Sequence, residues 1–161
     1  MIFLKIKDMF IKILSKTQNL LLFSGFDDRE PHIKSYKIST SRFGLGEERN
    51  SFCTPRGLHI VRAMIGRNSP INTHFVGRRV AENSTINQDP ITSRIIWLSG
   101  LEIGFNRLGN RDTMSRYIYI HGTPYENQIG KPVSIGCIRM KNVEVLELFE
   151  LIFVGTKVLI T

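Results

Sequence analysis

The sequence predicts a mainly β fold, on three observations. Short runs of β-branched, aromatic and alternating apolar residues recur along its 161 residues, the pattern of half-buried strands. Polar stretches carrying glycine and proline separate them. Only one segment, Val143 to Phe153, reads as a helix, and it comes late in the chain.

The elements follow in order. Ile11 and Ile13 alternate with Lys12, the polar Ser15-Lys16-Thr17-Gln18 follows, and Leu20 to Phe23 is apolar again, a β-hairpin pattern. Ser24 to Pro31 is loop, and Ser35 to Ser39 alternates as a strand. Residues 40–56 hold Gly44, Gly46 and Pro55 and form a long loop. Leu58 to Ile65 is a strand, with further short apolar segments at Phe75-Val76-Gly77 and Ile95 to Leu98. Residues 99–115 are glycine-rich and polar. Tyr117-Ile118-Tyr119-Ile120 is a buried-strand pattern with His121 at its end. Residues 122–133, with two glycines and two prolines, are loop. In the helix, Asn142 can serve as cap, Glu144, Glu147 and Glu150 share one side, and Gly155 is the stop. Lys157 to Thr161 is a last strand.

The length suits one domain with a real core. The 22 basic and 14 acidic residues leave a net charge of +8, which favours anionic partners. The basic residues are scattered, the longest cluster being Arg78-Arg79, and no aromatic-interleaved basic motif appears, so no nucleic-acid partner is expected. Lysines interrupt every apolar run in residues 1–16, so neither a membrane span nor a secretory signal is visible there. Two readings of that segment compete: an amphipathic surface helix, and a short leader ahead of a strand starting near Phe10.

Two residues stand out for chemistry. Cys137 lies in Ser134-Ile135-Gly136-Cys137-Ile138-Arg139-Met140. Attack requires the thiolate, which a nearby imidazole can generate and a guanidinium can stabilise. Gly136 allows close backbone approach, and the N–H groups of Ile135, Gly136 and Cys137 could form an oxyanion-binding turn. Arg139 could hold a substrate carboxylate. Read without chemistry, Cys137 is a buried strand cysteine and His121 a strand-end histidine tied to backbone. His121, 16 residues earlier, ends a strand and opens a loop, a place suited to catalysis. No carboxylate stands out as a third member; a backbone carbonyl near Gly122 could orient the imidazole. Glu102 and Asp112 read as solvated loop residues. His32, His59 and His74 lack metal-ligand spacing, so no metal or other cofactor is expected. Cys53 and Cys137 could form one disulfide.

His121-Gly122-Thr123 followed by Ser134-x-Gly136-Cys137-Ile138-Arg139-Met140 resembles the two-part signature of the YkuD family of L,D-transpeptidases. The resemblance covers most of the chain: Leu14 to Leu20 looks like the family's first hairpin, Thr54-Pro55-Arg56-Gly57 like its "TP-x-G" turn, and Trp97-Leu98-Ser99-Gly100 with Arg116 to Ile120 like its small single-domain branch. It therefore favours a leader, truncated signal or anchor over residues 1–9 and a catalytic domain over 10–161. It implies a β-sandwich of mixed sheets with few helices. It also implies that Cys137 attacks a peptidoglycan stem peptide with His121 as base, that a thioester forms as terminal D-Ala leaves, and that an amine resolves it. Ser134, Gly122, Thr123 and Arg139 become substrate-binding candidates, and Cys53 a loop thiol. One departure stands out: Ile135 occupies a position often held by His. Two other outcomes stay open: a hydrolase using the same Cys/His pair, and a silent module that binds cell-wall peptide. The chemistry points to the periplasm or cell envelope; without a clear export signal, a cytoplasmic site and membrane contact stay open.

Overall fold

The computed structural model describes residues 8–81 and 89–161; residues 1–7, most of the expected leader, lie outside the described residues. β1 (Met9–Leu14) and β2 (Asn19–Ser24) form the expected hairpin. Ile11, Ile13, Leu20 and Leu22 point to one side of it and are fully buried. β3 (Lys34–Lys37) extends it beyond β2. On the other side β10 (Lys157–Ile160) runs parallel to β1 and leads to β4 (Gly57–Ile65) and β7 (Ile91–Gly100), both antiparallel to their neighbours. The small hairpin of β5 (His74–Val76) and β6 (Arg79–Val80) joins the start of β7. β8 (Tyr119–Gly122) also pairs with β7, and β9 (Ile138–Met140) pairs parallel with β8. The described residues are mainly β with mixed pairing, as the sequence predicts, and the ten strands join in one curled sheet.

α1 (Asn142–Leu151) is the single α-helix among the described residues. Val145, Leu148 and Phe149 recur at helical spacing and are fully buried against the sheet core. Glu147 and Glu150 lie outward, paired with Lys34 and Arg67. The helix begins one residue earlier than the sequence pattern suggests, with Lys141 rather than Asn142 at the cap position. Asn142 is buried inside the fold instead. Its Nδ2 donates to Thr123 O and Glu126 Oε1 (both 2.8 Å), and its Oδ1 accepts from Thr92 Oγ1 and Ser93 Oγ (both 2.6 Å). Glu126 Oε1 also accepts the Asn142 backbone N–H at 2.7 Å, placing a carboxylate at the helix N-terminus, where the dipole favours it. This knot ties α1, β7 and the loop after β8 together.

His59 on β4 is fully buried. Its Nδ1 lies 2.9 Å from Gly57 O and its Nε2 3.0 Å from Thr113 Oγ1, and burial lowers its pKa from 6.5 to about 4. An unfolded chain would therefore take up a proton at His59 that the folded chain refuses.

Two stability predictions result. Asn142→Ala strands two buried hydroxyls and a carbonyl, and should lower unfolding free energy by roughly 2–4 kcal/mol; an unchanged urea midpoint would refute the knot. For His59, bound protons differ in favour of the unfolded chain between pH 6.5 and 4, so stability should fall as pH drops through that window, by about 3 kcal/mol. Urea titrations at stepped pH would show His59→Gln with a flatter slope above pH 4.5, where carboxylates contribute least.

Candidate active site

The parallel pairing of β8 with β9 sets Ile120 against Ile138 and His121 against Arg139. Cys137 precedes β9 directly, so the two halves of the sequence motif meet at one end of this pair. His121 and Cys137 line a single cavity of about 580 Å³, together with Phe52, Arg78, Asp89, Arg116, Tyr117, Tyr119 and Ile135 among others.

The turn carrying the thiol is held from several directions. Ser134 Oγ donates to Cys137 O at 2.6 Å and takes a longer bond, 3.3 Å, from the Gly136 N–H. Thr54 Oγ1 donates to Gly136 O at 2.9 Å. Gly136 has φ +132, which favours glycine on conformational grounds, and a Cβ there would also crowd the Ile118 side chain at 3.3 Å. Gly136 N–H is directed at Ser134, whereas the Cys137 N–H is not engaged by any backbone acceptor among the described turn and loop contacts. The sulfur accepts from Tyr119 N–H at 3.3 Å and lies 3.4 Å from Tyr117 O.

His121 is fully buried. Its Nδ1 lies 2.6 Å from Gly122 O, and a carbonyl can only accept, so the Nδ1 carries the proton. Nε2 is left unprotonated, and among the described residues it has no hydrogen-bond partner. Gly122 must be glycine because a Cβ would fall 2.5 Å from Asn142 Oδ1 and 2.6 Å from Thr92 O. The knot around Asn142 therefore fixes the carbonyl that orients the imidazole.

Electrostatics drive both groups towards neutrality. Burial is the main cause that pushes the Cys137 thiol up to about 12; Asp89 acts in the same direction, against the Tyr119 N–H, Arg139 and Arg116. Burial likewise holds His121 below its ordinary value, opposed by Asp89 and the Gly122 carbonyl.

The remaining sequence candidates are brought close but do not line this cavity. Ser134, Gly122 and Thr123 are buried in its framework; Thr123 bonds Tyr125 N–H and Asn142. Arg139 is 4% exposed. Its Nε is 2.8 Å from Asp89 Oδ1, though the N–H is not aimed for a hydrogen bond, and it opens onto a separate depression with Arg42 and Gln128. Ile135, in contrast, lines the cavity. Glu102 holds the backbone N–H of Leu58 at the start of β4, and Asp112 holds those of Leu108 and Ser115 in its own loop. Both cysteines are free thiols, and Cys53 lies in the loop between β3 and β4.

Asp89, Arg78 and Arg116 were not singled out as site residues by the sequence. Arg116 is spent on structure: it donates to the carbonyls of Gly46, Glu47 and Cys53, the last at 2.7 Å, and to Ser51 Oγ. It thereby holds the 46–53 loop beside the thiol. No local pattern marks Asp89, which reaches the cavity only through the return of the chain into β7.

Known proteins share segments and the fold with this chain. A Bacillus subtilis protein named as the L,D-transpeptidase YqjB is 56% identical over 59 residues, which make up 37% of this chain and 32% of that protein. A Bacillus licheniformis protein named as the L,D-transpeptidase YkuD is 57% identical over 42 residues, 26% of each chain. The matched segments thus span a third or less of these curated relatives. Among solved structures, Bd1075 of Bdellovibrio bacteriovorus superposes with TM-score 0.61 at 15% identity, covering 96% of this chain and 48% of that one. An L,D-transpeptidase from Mycobacterium smegmatis gives 0.58 at 14%, covering 96% and 59%. The catalytic domain of the Enterococcus faecium L,D-transpeptidase gives 0.53 at 16%, covering 96% and 98%. At these identities the likeness lies in the fold. The model of the YkuD L,D-transpeptidase catalytic domain matches residues 8–160, and the chain therefore belongs to that family.

Proposed function

We propose that this protein is a cysteine acyltransferase acting on peptidoglycan stem peptides, with Cys137 as nucleophile and His121 as base. One observation carries the reading: an imidazole with a fixed tautomer and a free Nε2 shares a cavity with a thiol at the end of the same strand pair. His121 Nε2 takes the thiol proton as sulfur attacks the scissile carbonyl. The Cys137 N–H, which no backbone acceptor engages among the described turn contacts, would donate to the oxygen that becomes negative, while the Gly136 N–H, held by Ser134 Oγ, shapes the turn beside it. Collapse expels terminal D-Ala, whose nitrogen receives the proton from His121, and leaves a thioester on Cys137. The neutral imidazole then deprotonates an incoming amine, which forms the new amide and releases the thiol. Water in place of the amine would make the same site a carboxypeptidase. Ser134, Gly122 and Thr123 support the two reacting groups from behind, and Arg139 anchors Asp89 beneath the cavity. The substrate class places the protein in the cell envelope, and no helix among the described residues is long and apolar enough to cross a membrane.

Intact-mass measurement after incubation with a disaccharide-tetrapeptide should show the wild type heavier by the donor less D-Ala, and Cys137→Ala unchanged. His121→Ala should lower the rate roughly 10²–10⁴-fold. Absence of both adduct and D-Ala release in folded wild type would refute the assignment. Adding an amine acceptor then separates transfer from hydrolysis.

The raised thiol and lowered imidazole predict the pH behaviour. Alkylation by iodoacetamide needs the thiolate, so its rate should climb about tenfold per pH unit from 7 to 10 without levelling, whereas an ordinary thiol levels above about 8.5. Acylation needs only neutral His121, so single-turnover D-Ala release should stay flat from pH 7 to 9 and decline only below the ordinary histidine value. A plateau of alkylation already present near pH 7 would show a resting thiolate instead.

A further inference from the structure

Two arginines line the cavity of the thiol and a third, Arg139, lies behind it; only one of the three has donors to spare for a ligand. Arg116 is committed to three carbonyls and a hydroxyl. Arg139 is buried behind Asp89, outside the catalytic cavity. Arg78 lines that cavity and is held without being used up. Its guanidinium sits 4.9 Å from the Trp97 ring centroid and 5.0 Å from that of Tyr117. One of its five N–H donors goes to Tyr119 Oη at 3.1 Å. Among the described residues no carboxylate pairs with it.

Its backbone is equally unusual. Val76 pairs with Arg79, so Gly77 and Arg78 form a two-residue hairpin turn, with φ +55 and +65. That turn favours glycine, asparagine or aspartate at both positions, and an arginine there is strained relative to them. The turn thereby projects the Arg78 side chain from the tip of the hairpin into the cavity wall.

Tyr119 also sets the distance to the chemistry. Its N–H contacts the Cys137 sulfur and its hydroxyl contacts Arg78, so the guanidinium stands one tyrosine side chain from the nucleophile. In the donor, the leaving residue's carboxylate follows the scissile carbonyl by one amide nitrogen and one α-carbon.

Resting on the acyltransferase reading, we propose that Arg78, supported by Trp97, Tyr117 and Tyr119, is the carboxylate anchor that selects donors whose leaving residue ends in a free carboxylate. The bound carboxylate takes the remaining N–H groups of the fork, and the stacked aromatics keep that fork oriented.

The test compares a stem tetrapeptide with its C-terminal amide on wild type, Arg78→Asn and Arg78→Lys, following release of the terminal residue and the Cys137 adduct by mass. Asparagine suits the left-handed turn, so Arg78→Asn keeps the hairpin while removing the cation. Wild type should prefer the free acid by roughly 10- to 100-fold in kcat/KM, mostly through KM. Arg78→Asn should lose that preference by losing rate on the acid alone, and Arg78→Lys should retain part of it. An active wild type whose preference survives in Arg78→Asn, or an Arg78→Asn that slows equally on both donors, overturns the anchor alone. A wild type inert towards both donors overturns the acyltransferase reading and the anchor with it.

Discussion

The site depends on the parallel register of two very short strands. Ile120 faces Ile138, and both are fully buried in the main core with Ile118 and Met140 close by. A slip of one residue would turn these aliphatic side chains out of the core and carry His121 and Cys137 away from each other. Hydrophobic packing thus enforces the juxtaposition of His121 and Cys137. A parallel pair also needs a crossover between its strands. Here the loop of residues 123–137 supplies it, fastened by Gly130 N–H on Ile38 O and Ser134 N–H on Thr40 O, and just beyond it Arg139 on β9 is bonded both ways to Ser39.

Behind this register lies a second constraint, the path from α1 to the imidazole. Asn142 uses both its donors and its acceptor in buried hydrogen bonds, so it has no freedom to rotate without stranding a partner. Gly122 packs directly on it, and Gly122 O selects the tautomer of His121. The helix therefore positions His121 without lining the cavity. On the opposite wall Arg116 does comparable work, fastening the 46–53 loop so that Phe52 and the Cys53 carbonyl border the thiol turn.

Alternation and turn residues made the first hairpin, β4, β10 and the helix legible, because each buries one face or stripe against the core; β7, buried on both faces, showed only as the short apolar run Ile95 to Leu98. Failures occurred where tertiary contacts override local pattern. Tyr117-Ile118-Tyr119-Ile120 alternates as one strand, yet Tyr117 takes φ +56 and stands half out of the fold, and β8 begins at Tyr119. Asn142 has the identity of a helix cap, but burial beside two hydroxyls gives it a different use. His121 and Cys137 were legible because they sit in a specific two-part motif. Arg78 and Asp89 were not, since one belongs to a two-strand hairpin and the other to a chain return, and neither placement leaves a local trace. The single continuous sheet was likewise beyond reach, because strand pairing between distant segments has no periodicity of its own.

The electrostatic state of the pair ties these threads together. In water a thiol and an imidazole differ by about two pKa units, the imidazole being lower. Burial here raises the first and lowers the second, so transferring the proton within the empty site becomes harder. The reactive ion pair is thus disfavoured at rest, and the thiol is shielded from indiscriminate electrophiles. What can recover this energy is a substrate whose carbonyl oxygen, on becoming negative, meets the N–H of the turn while sulfur loses its charge into the new bond. The stabilising groups then act on the transition state more than on the resting enzyme, which is the condition for acceleration rather than mere binding. A thiol that is poorly acidic when the cavity is empty is therefore consistent with an efficient acyltransferase, and the burial imposed by the core becomes part of its selectivity.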